Sequence, residues 1–283
     1  MSYLSNFNYQ ITESLQEPNS DRKLVFLHGV MGFGVNWRRI VKAFEKKYQV
    51  LTYDQRGHGR SFHPAVGYGV EDYSDDLRKI LDELGWERIH LVGHSMGGRV
   101  AFHFASEFPE RVTRLVIEDM GPSMLHDGAE FITQLLDSIP VPFSSKREAK
   151  KWFDTEFVRL FATVRNVDGL AAFLYANLIE DESRKAVWRF YESGIRESIA
   201  QGRAVERWDE IAELKMPTLV VRGEHSNDLP RETYLRVLEA NPLIQGVEVS
   251  GVGHWIHSEK PEVFISILAE FFGQSLTTKS SVR

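Results

Sequence analysis

The residues best suited to chemistry lie in a few short stretches. "LVGHSMGG" (Leu91–Gly98) sets Ser95 between Gly93 and Gly97, directly after an apolar run. "GVGHW" carries His254, while "RLVIED" and "RGEHSND" carry Asp119 and Asp228. A serine hydroxyl is a weak nucleophile until a neighbouring base takes its proton. Histidine is the usual base because its pKa lies near working pH, and a carboxylate can orient it and stabilise its charged form. Attack on a carbonyl also develops an oxyanion, which needs preorganised N–H donors. The glycine-rich "HGVMG" (His28–Gly32) follows another apolar run, and its glycines let a backbone come close. The chemistry these residue types spell out is acyl transfer through serine.

Such groups act together only if the fold gathers them. Six runs rich in Val, Ile and Leu read as strands: "KLVFLHG" from Lys23, "YQVLTYD" from Tyr48, "RIHLVGH" from Arg88, "RLVIED" from Arg114, "TLVVRGE" from Thr218 and "GVEVSGVGH" from Gly246. They show little alternation, which suits a sheet buried on both faces. "NFNYQITESL" is expected to add an antiparallel edge strand. Helical stripes lie between them. Trp37, Ile40, Val41 and Phe44 form one, and Leu77, Ile80, Leu81 and Leu84 another that stops at Gly85. "MGGRVAFHFASEF" and "PEVFISILAEFFG" behave alike. Alternating strands and helices mean right-handed crossovers and a parallel sheet with helices on both faces. In such a sheet ligands bind beyond the carboxyl ends of the strands, where Ser95 would stand. Gly-x-Ser-x-Gly between strand and helix is a turn so sharp that side chains at positions 93 and 97 would meet backbone.

From about Ser123 to Leu214 the pattern changes to helical and aromatic, with no convincing strand. This block falls between two strands, so it reads as an insertion. The expected division is a core of residues 1–122 and 215–283 and a helical cap of residues 123–214 over Ser95. The cap's aromatics are expected mainly to pack its own interior. The tail "TTKSSVR" is expected to fray.

Composition narrows the class. A net charge of −6 over 283 residues argues against nucleic acid or an anionic membrane surface as partner. The absence of cysteine excludes disulfides, thiol nucleophiles and thiolate metal sites. The start lacks a basic and apolar leader, and no window reaches the roughly 18 apolar residues of a membrane span. A cytoplasmic protein is expected.

"FLHGVMG", "YDQRGHGRS", "LVGHSMGG", "RGEHS" and "GVGHWIHSEKP", in that order, resemble the α/β-hydrolase superfamily over roughly residues 24–272. Within it the chain looks most like the small bacterial YbfF-type esterases. The resemblance implies an α/β-hydrolase fold, a mostly parallel sheet with a helical cap insertion. It also implies the order Ser…Asp…His, which makes His254 the base, and backbone N–H donors at Met96 and Val30. Many members place the acid three residues after the glycine ending the penultimate strand. Here that position is Ser226, and two carboxylates can substitute, Asp119 and Asp228. The YbfF-type group resembles this chain in having serine there and aspartate at the end of the preceding strand. That favours Asp119, with Asp228 as the alternative. Asp54 is a remote third choice, expected instead to tie down "QRGHGRS", and Glu118 should point away from Asp119 because strand side chains alternate. His28, His58 and His94 are expected to be structural, and His257 to help start the last helix. Arg60, Arg99 and Arg222 lie near motifs and receive no role.

The expected activity is hydrolysis of short- to medium-chain carboxylic esters, extending to thioesters. Cleavage of C–C bonds or amides remains open to the same triad, and a ligand-binding protein that kept only the fold is the non-catalytic alternative. Serine at position 95 argues against the dehalogenating and epoxide-opening enzymes, which use an aspartate nucleophile. No cofactor and no metal is implied. The expected partner is a small-molecule acyl ester or thioester, and the oligomeric state stays open.

Overall fold

All six apolar runs are strands of one seven-stranded sheet in the computed structural model, which describes residues 2–14, 22–123 and 126–273. Its strands are β1 (Tyr9–Thr12), β2 (Lys23–Leu27), β3 (Gln49–Tyr53), β4 (Ile89–His94), β5 (Val112–Glu118), β8 (Thr218–Gly223) and β9 (Ile244–Val249), in the order β1-β3-β2-β4-β5-β8-β9. The expected edge strand β1 pairs antiparallel with β3, and every other pairing is parallel. The chain is an α/β protein of the expected architecture.

Alternate strand residues supply two cores. Val25, Leu27, Leu91, Leu115 and Ile117 face one side, covered by the helices Val70–Leu84, Met96–Glu107 and Arg231–Ala240. Leu24, Phe26, Val92, Val116 and Val221 face the other, covered by Arg38–Phe44 and Pro261–Phe271. Each fully buried apolar side chain contributes about 1.5–3 kcal/mol, so the strands read as unbroken apolar runs because both their faces are covered. Helix Val70–Leu84 carries Glu71 and Asp72 in its first turn and ends at Gly85, whose φ of 65° closes it.

Between β5 and β8 run the helices His126–Ser138, Lys146–Trp152, Val167–Ala176 and Glu192–Ala204. They share a third apolar cluster that includes Phe153, Phe157, Phe161 and Phe190. The expectation of no strand here needs correction, because β6 (Leu178–Glu180) and β7 (Ala186–Trp188) form an antiparallel hairpin. Three-residue strands are too short to show a period. The turn is set by Asp181, whose carboxylate accepts the Lys185 N–H at 2.9 Å. Among the described residues no helix is long and apolar enough to cross a membrane. The tail expected to fray lies outside the described residues.

Candidate active site

Ser95 follows β4 directly, and the helix Met96–Glu107 starts at the next residue. Its φ of 53° and ψ of −121° are a sparsely populated combination for a residue with a side chain. The neighbouring glycines permit it. A Cβ at Gly93 would stand 2.1 Å from the Gly97 carbonyl oxygen, and one at Gly97 would stand 2.5 Å from that of Leu27. The Ser95 N–H donates to Glu118 O at 3.0 Å, which fastens the turn to the end of β5.

The loop after β2 lies against this turn. A Cβ at Gly29 would be 3.1 Å from Ser95 Cβ. Two buried histidines pin the loop. His58 Nε2 accepts the N–H of Met31, which has φ 59°, at 3.1 Å, and His28 Nε2 accepts the Gln55 N–H at 2.9 Å. Burial lowers His28 to about 4 and His58 to about 3, so both are neutral acceptors, the structural part expected of them. Val30 and Met96 border the same cavity as Ser95, and neither backbone N–H has an acceptor among the described residues. Asp54 accepts the N–H groups of Arg60 at 3.0 Å and Gly34 at 2.8 Å, and so ties down its loop as expected.

His254 stands in the loop after β9. Its Nδ1 donates to Asp119 Oδ2 at 2.7 Å, and Asp228 Oδ2 lies 3.5 Å away. With Nδ1 engaged, Nε2 is the nitrogen left to take a proton. Burial opposes charge on His254, but Asp228, Asp119 and Glu118 outweigh it and raise the imidazole to about 9. Asp119 is fully buried and takes φ 54°. Its carboxylate accepts from His254, from the Gly223 N–H at 2.9 Å and from the Ser226 hydroxyl. Burial raises its pKa against the pull of these donors.

Ser226 was given no role from sequence, yet it joins the two acids. Its Oγ donates to Asp119 and accepts the N–H groups of Asp228 at 3.1 Å and Leu229 at 3.2 Å. The available signal was its position, where an acid is usual. Glu118 points away from Asp119, as alternation requires. It accepts the backbone N–H of His257 at 2.8 Å and faces the His257 ring at 2.9 Å. This corrects the expected role of His257. The last helix starts at Pro261, and His257 belongs to the short helix Ile256–Glu259, its ring centroid 4.4 Å from that of Trp37 and tilted by 33°. His94 lies between His254 and His257, and its Nε2 is 3.0 Å from His254 O.

Among the described residues, two groups hold three potential metal-ligating atoms within 4.8 Å: His94, Glu118 and His257, and Asp119, Asp228 and His254. In both groups the carboxylates already face histidine N–H donors.

Ser95, His254, Asp228, Val30 and Met96 open on one cavity of about 1050 Å³. Phe131, Leu135, Leu170, Phe173 and Ile199, all from between β5 and β8, give it an apolar side. Most other aromatics of that segment pack among themselves, as expected. Arg99, also unassigned from sequence, lines the cavity one helical turn beyond Ser95. A serine, a histidine paired with a carboxylate, two backbone N–H groups without an acceptor among the described residues and an apolar wall share this cavity, residue types that acyl-enzyme chemistry would use.

A family model described as alpha/beta hydrolase fold matches residues 23–261. The chain is 32% identical over 257 residues to the sn-1-specific diacylglycerol lipase ABHD11 of Mus musculus, covering 88% of this chain and 80% of the lipase. It is 26% identical to the soluble epoxide hydrolase of a Corynebacterium species, covering 88% and 89% of the two chains. Among solved structures, a marine microorganism esterase superposes with a TM-score of 0.78 at 26% identity, covering 94% of this chain and 98% of the esterase.

Proposed function

The chain belongs to the α/β-hydrolase family, and from that premise we propose that it is a serine hydrolase of carboxylic esters with short to medium acyl chains, accepting thioesters. The observation that carries the reading is the His254–Asp119 hydrogen bond beside a serine held at φ 53°, with both His254 and Ser95 open to one cavity. In this reading residues 1–122 and 215–283 are the hydrolase core, and residues 123–214 are a cap that roofs Ser95.

The cycle follows from the roles. His254 Nε2 takes the Ser95 proton as Oγ attacks the ester carbonyl, and the N–H groups of Val30 and Met96 receive the oxyanion. The intermediate collapses, and the leaving alcohol departs with the proton from His254. Water, deprotonated by His254, then attacks the acyl-enzyme, and the carboxylic acid leaves as the Oγ–acyl bond breaks and His254 returns the proton to Ser95. Asp119 keeps Nδ1–H directed away from the serine and stabilises the imidazolium.

The test is initial rates on p-nitrophenyl esters from acetate to dodecanoate, with Ser95→Ala as control and fluorophosphonate labelling of both proteins. Serine-dependent hydrolysis and labelling are expected. A folded Ser95→Ala variant that keeps wild-type turnover would overturn the mechanism.

A further inference from the structure

We propose that Arg99 is an anion-recognition element of the cavity, and that the substrate carries a carboxylate within a few carbons of the scissile carbonyl. The inference rests on the serine-hydrolase reading for which bond is cut, but not for the binding of the anion.

Three arginines are buried among the described residues: Arg56, Arg99 and Arg222. Arg56 is paired with Asp76 at 2.5 Å and Arg222 with Glu248 at 2.6 Å. Arg99 is 5% exposed, and no carboxylate oxygen lies within 4.0 Å of it among the described residues. Its Nη2 donates to the Val205 carbonyl at 2.6 Å and lies 3.4 Å from that of Pro122. Its Nε and Nη1 have no partner among the described residues. A neighbouring cation does not share this state, because Arg207 is matched by Glu71 and Glu210, each at 2.5 Å. Burial and the charge of Arg207 lower Arg99 to about 10 against the pull of Glu210 and Glu71, so it remains a cation at neutral pH.

A buried charge without a counter-ion is expensive, and folds retain one mainly where something else supplies the opposite charge. Arg99 borders the cavity, so that something can be a ligand. Arg99 follows Ser95 by four residues on one helix face, about 6 Å along the axis, and helical side chains lean back toward the N-terminus, here toward Ser95. One cation with no carboxylate in direct contact, beside an apolar wall, suits a monoanion on a largely apolar body. With Arg207 already matched and Arg165 facing Glu259 at 3.9 Å, no second free arginine lines the cavity for a phosphate dianion among the described residues.

The experiment compares kcat/KM for shape-matched esters. Mono(4-nitrophenyl) adipate is set against 4-nitrophenyl 6-methylheptanoate, with the carboxylate on the acyl side. A second pair, 4-acetoxybenzoate against 4-isopropylphenyl acetate, puts it on the alcohol side. Wild type is expected to favour the anion in one pair by about tenfold or more. Arg99→Met is expected to reduce that ratio toward one, mainly through KM, and Arg99→Lys to keep part of it. A wild-type ratio at or below one in both pairs, or a ratio unchanged by Arg99→Met, overturns the proposal. Should Arg99→Met fail to fold, the wild-type ratios and Arg99→Lys decide. If no ester is cleaved, the serine-hydrolase reading fails separately, and calorimetric binding of the monoanion hexanoate still tests Arg99. Binding to wild type that Arg99→Met loses supports the site, and no binding to wild type overturns it.

Discussion

Replacing Asp228 by Asn should move the pH profile of the enzyme rather than destroy it. Asp228 Oδ2 lies 3.5 Å from His254 Nδ1, and its side chain is 34% exposed. Two unit charges at that distance interact by about 1.2 kcal/mol under water-like screening, and partial exposure argues for that cautious end of the range. This equals about one pKa unit. The sign follows from the mechanism. His254 must be neutral to accept the serine proton, and its pKa is raised to about 9, so wild-type kcat/KM should fall as pH drops below about 9. Without Asp228 the limb should move about one unit lower. The plateau should fall by less than about tenfold, because a less basic imidazole is a weaker general base. Activity near pH 6 should rise or hold for the same reason. Asp119→Asn should behave differently. That carboxylate accepts Nδ1–H at 2.7 Å and fixes the tautomer, so its loss should cost roughly 10³–10⁴-fold at every pH. The assay is kcat/KM from pH 5 to 10 on a p-nitrophenyl ester for the three proteins. If Asp228→Asn lowers the plateau as far as Asp119→Asn, the assignment of the acid is wrong. If its limb does not move, the electrostatic argument fails.

Ser226→Ala removes one donor to Asp119 and the acceptor for two backbone N–H groups. It should cost about 1–3 kcal/mol in urea unfolding and lower kcat at unchanged KM, whereas intact stability would show that the bridge is not made in solution. Gly97→Ala puts a Cβ 2.5 Å from Leu27 O and 2.6 Å from His28 O. Because those are backbone atoms, the loss should exceed the about 1–3 kcal/mol of ordinary overpacking, and a stable, active variant would contradict the described turn. His257→Ala removes the ring donor from the buried Glu118 carboxylate and leaves it the backbone N–H of residue 257. A loss of about 3–5 kcal/mol is expected, measured by denaturant unfolding, and a change below 1 kcal/mol would count against the pair.

Much of this protein was legible along the chain, for local reasons. A strand covered on both faces must be apolar at nearly every position, so β2 to β5, β8 and β9 stood out. A strand–Gly-x-Ser-x-Gly–helix turn needs its glycines within a few residues, so the place of Ser95 was written locally as well. The hairpin β6–β7 escaped notice because three residues carry no period. His257 was assigned to the helix next to it in sequence, while its partner Glu118 is 139 residues away.

What the sequence by itself determined was the architecture and the identity of the groups proposed to act on an ester. Only the tertiary structure decided how the carboxylates divide around His254. Asp119 and Asp228 both stand at strand ends in the chain. Parallel pairing of β5 with β8 puts Asp119 behind Ser226 and 2.7 Å from Nδ1, and leaves Asp228 at the cavity edge 3.5 Å away. Likewise, nothing local tells Arg99 from Arg56 or Arg222. Their charges differ in effect because the fold brings Asp76 and Glu248 to the latter two and only carbonyl oxygens to Arg99. Residue type fixes which charges exist, but the distance between segments remote in sequence sets their pKa values and their unmet partners.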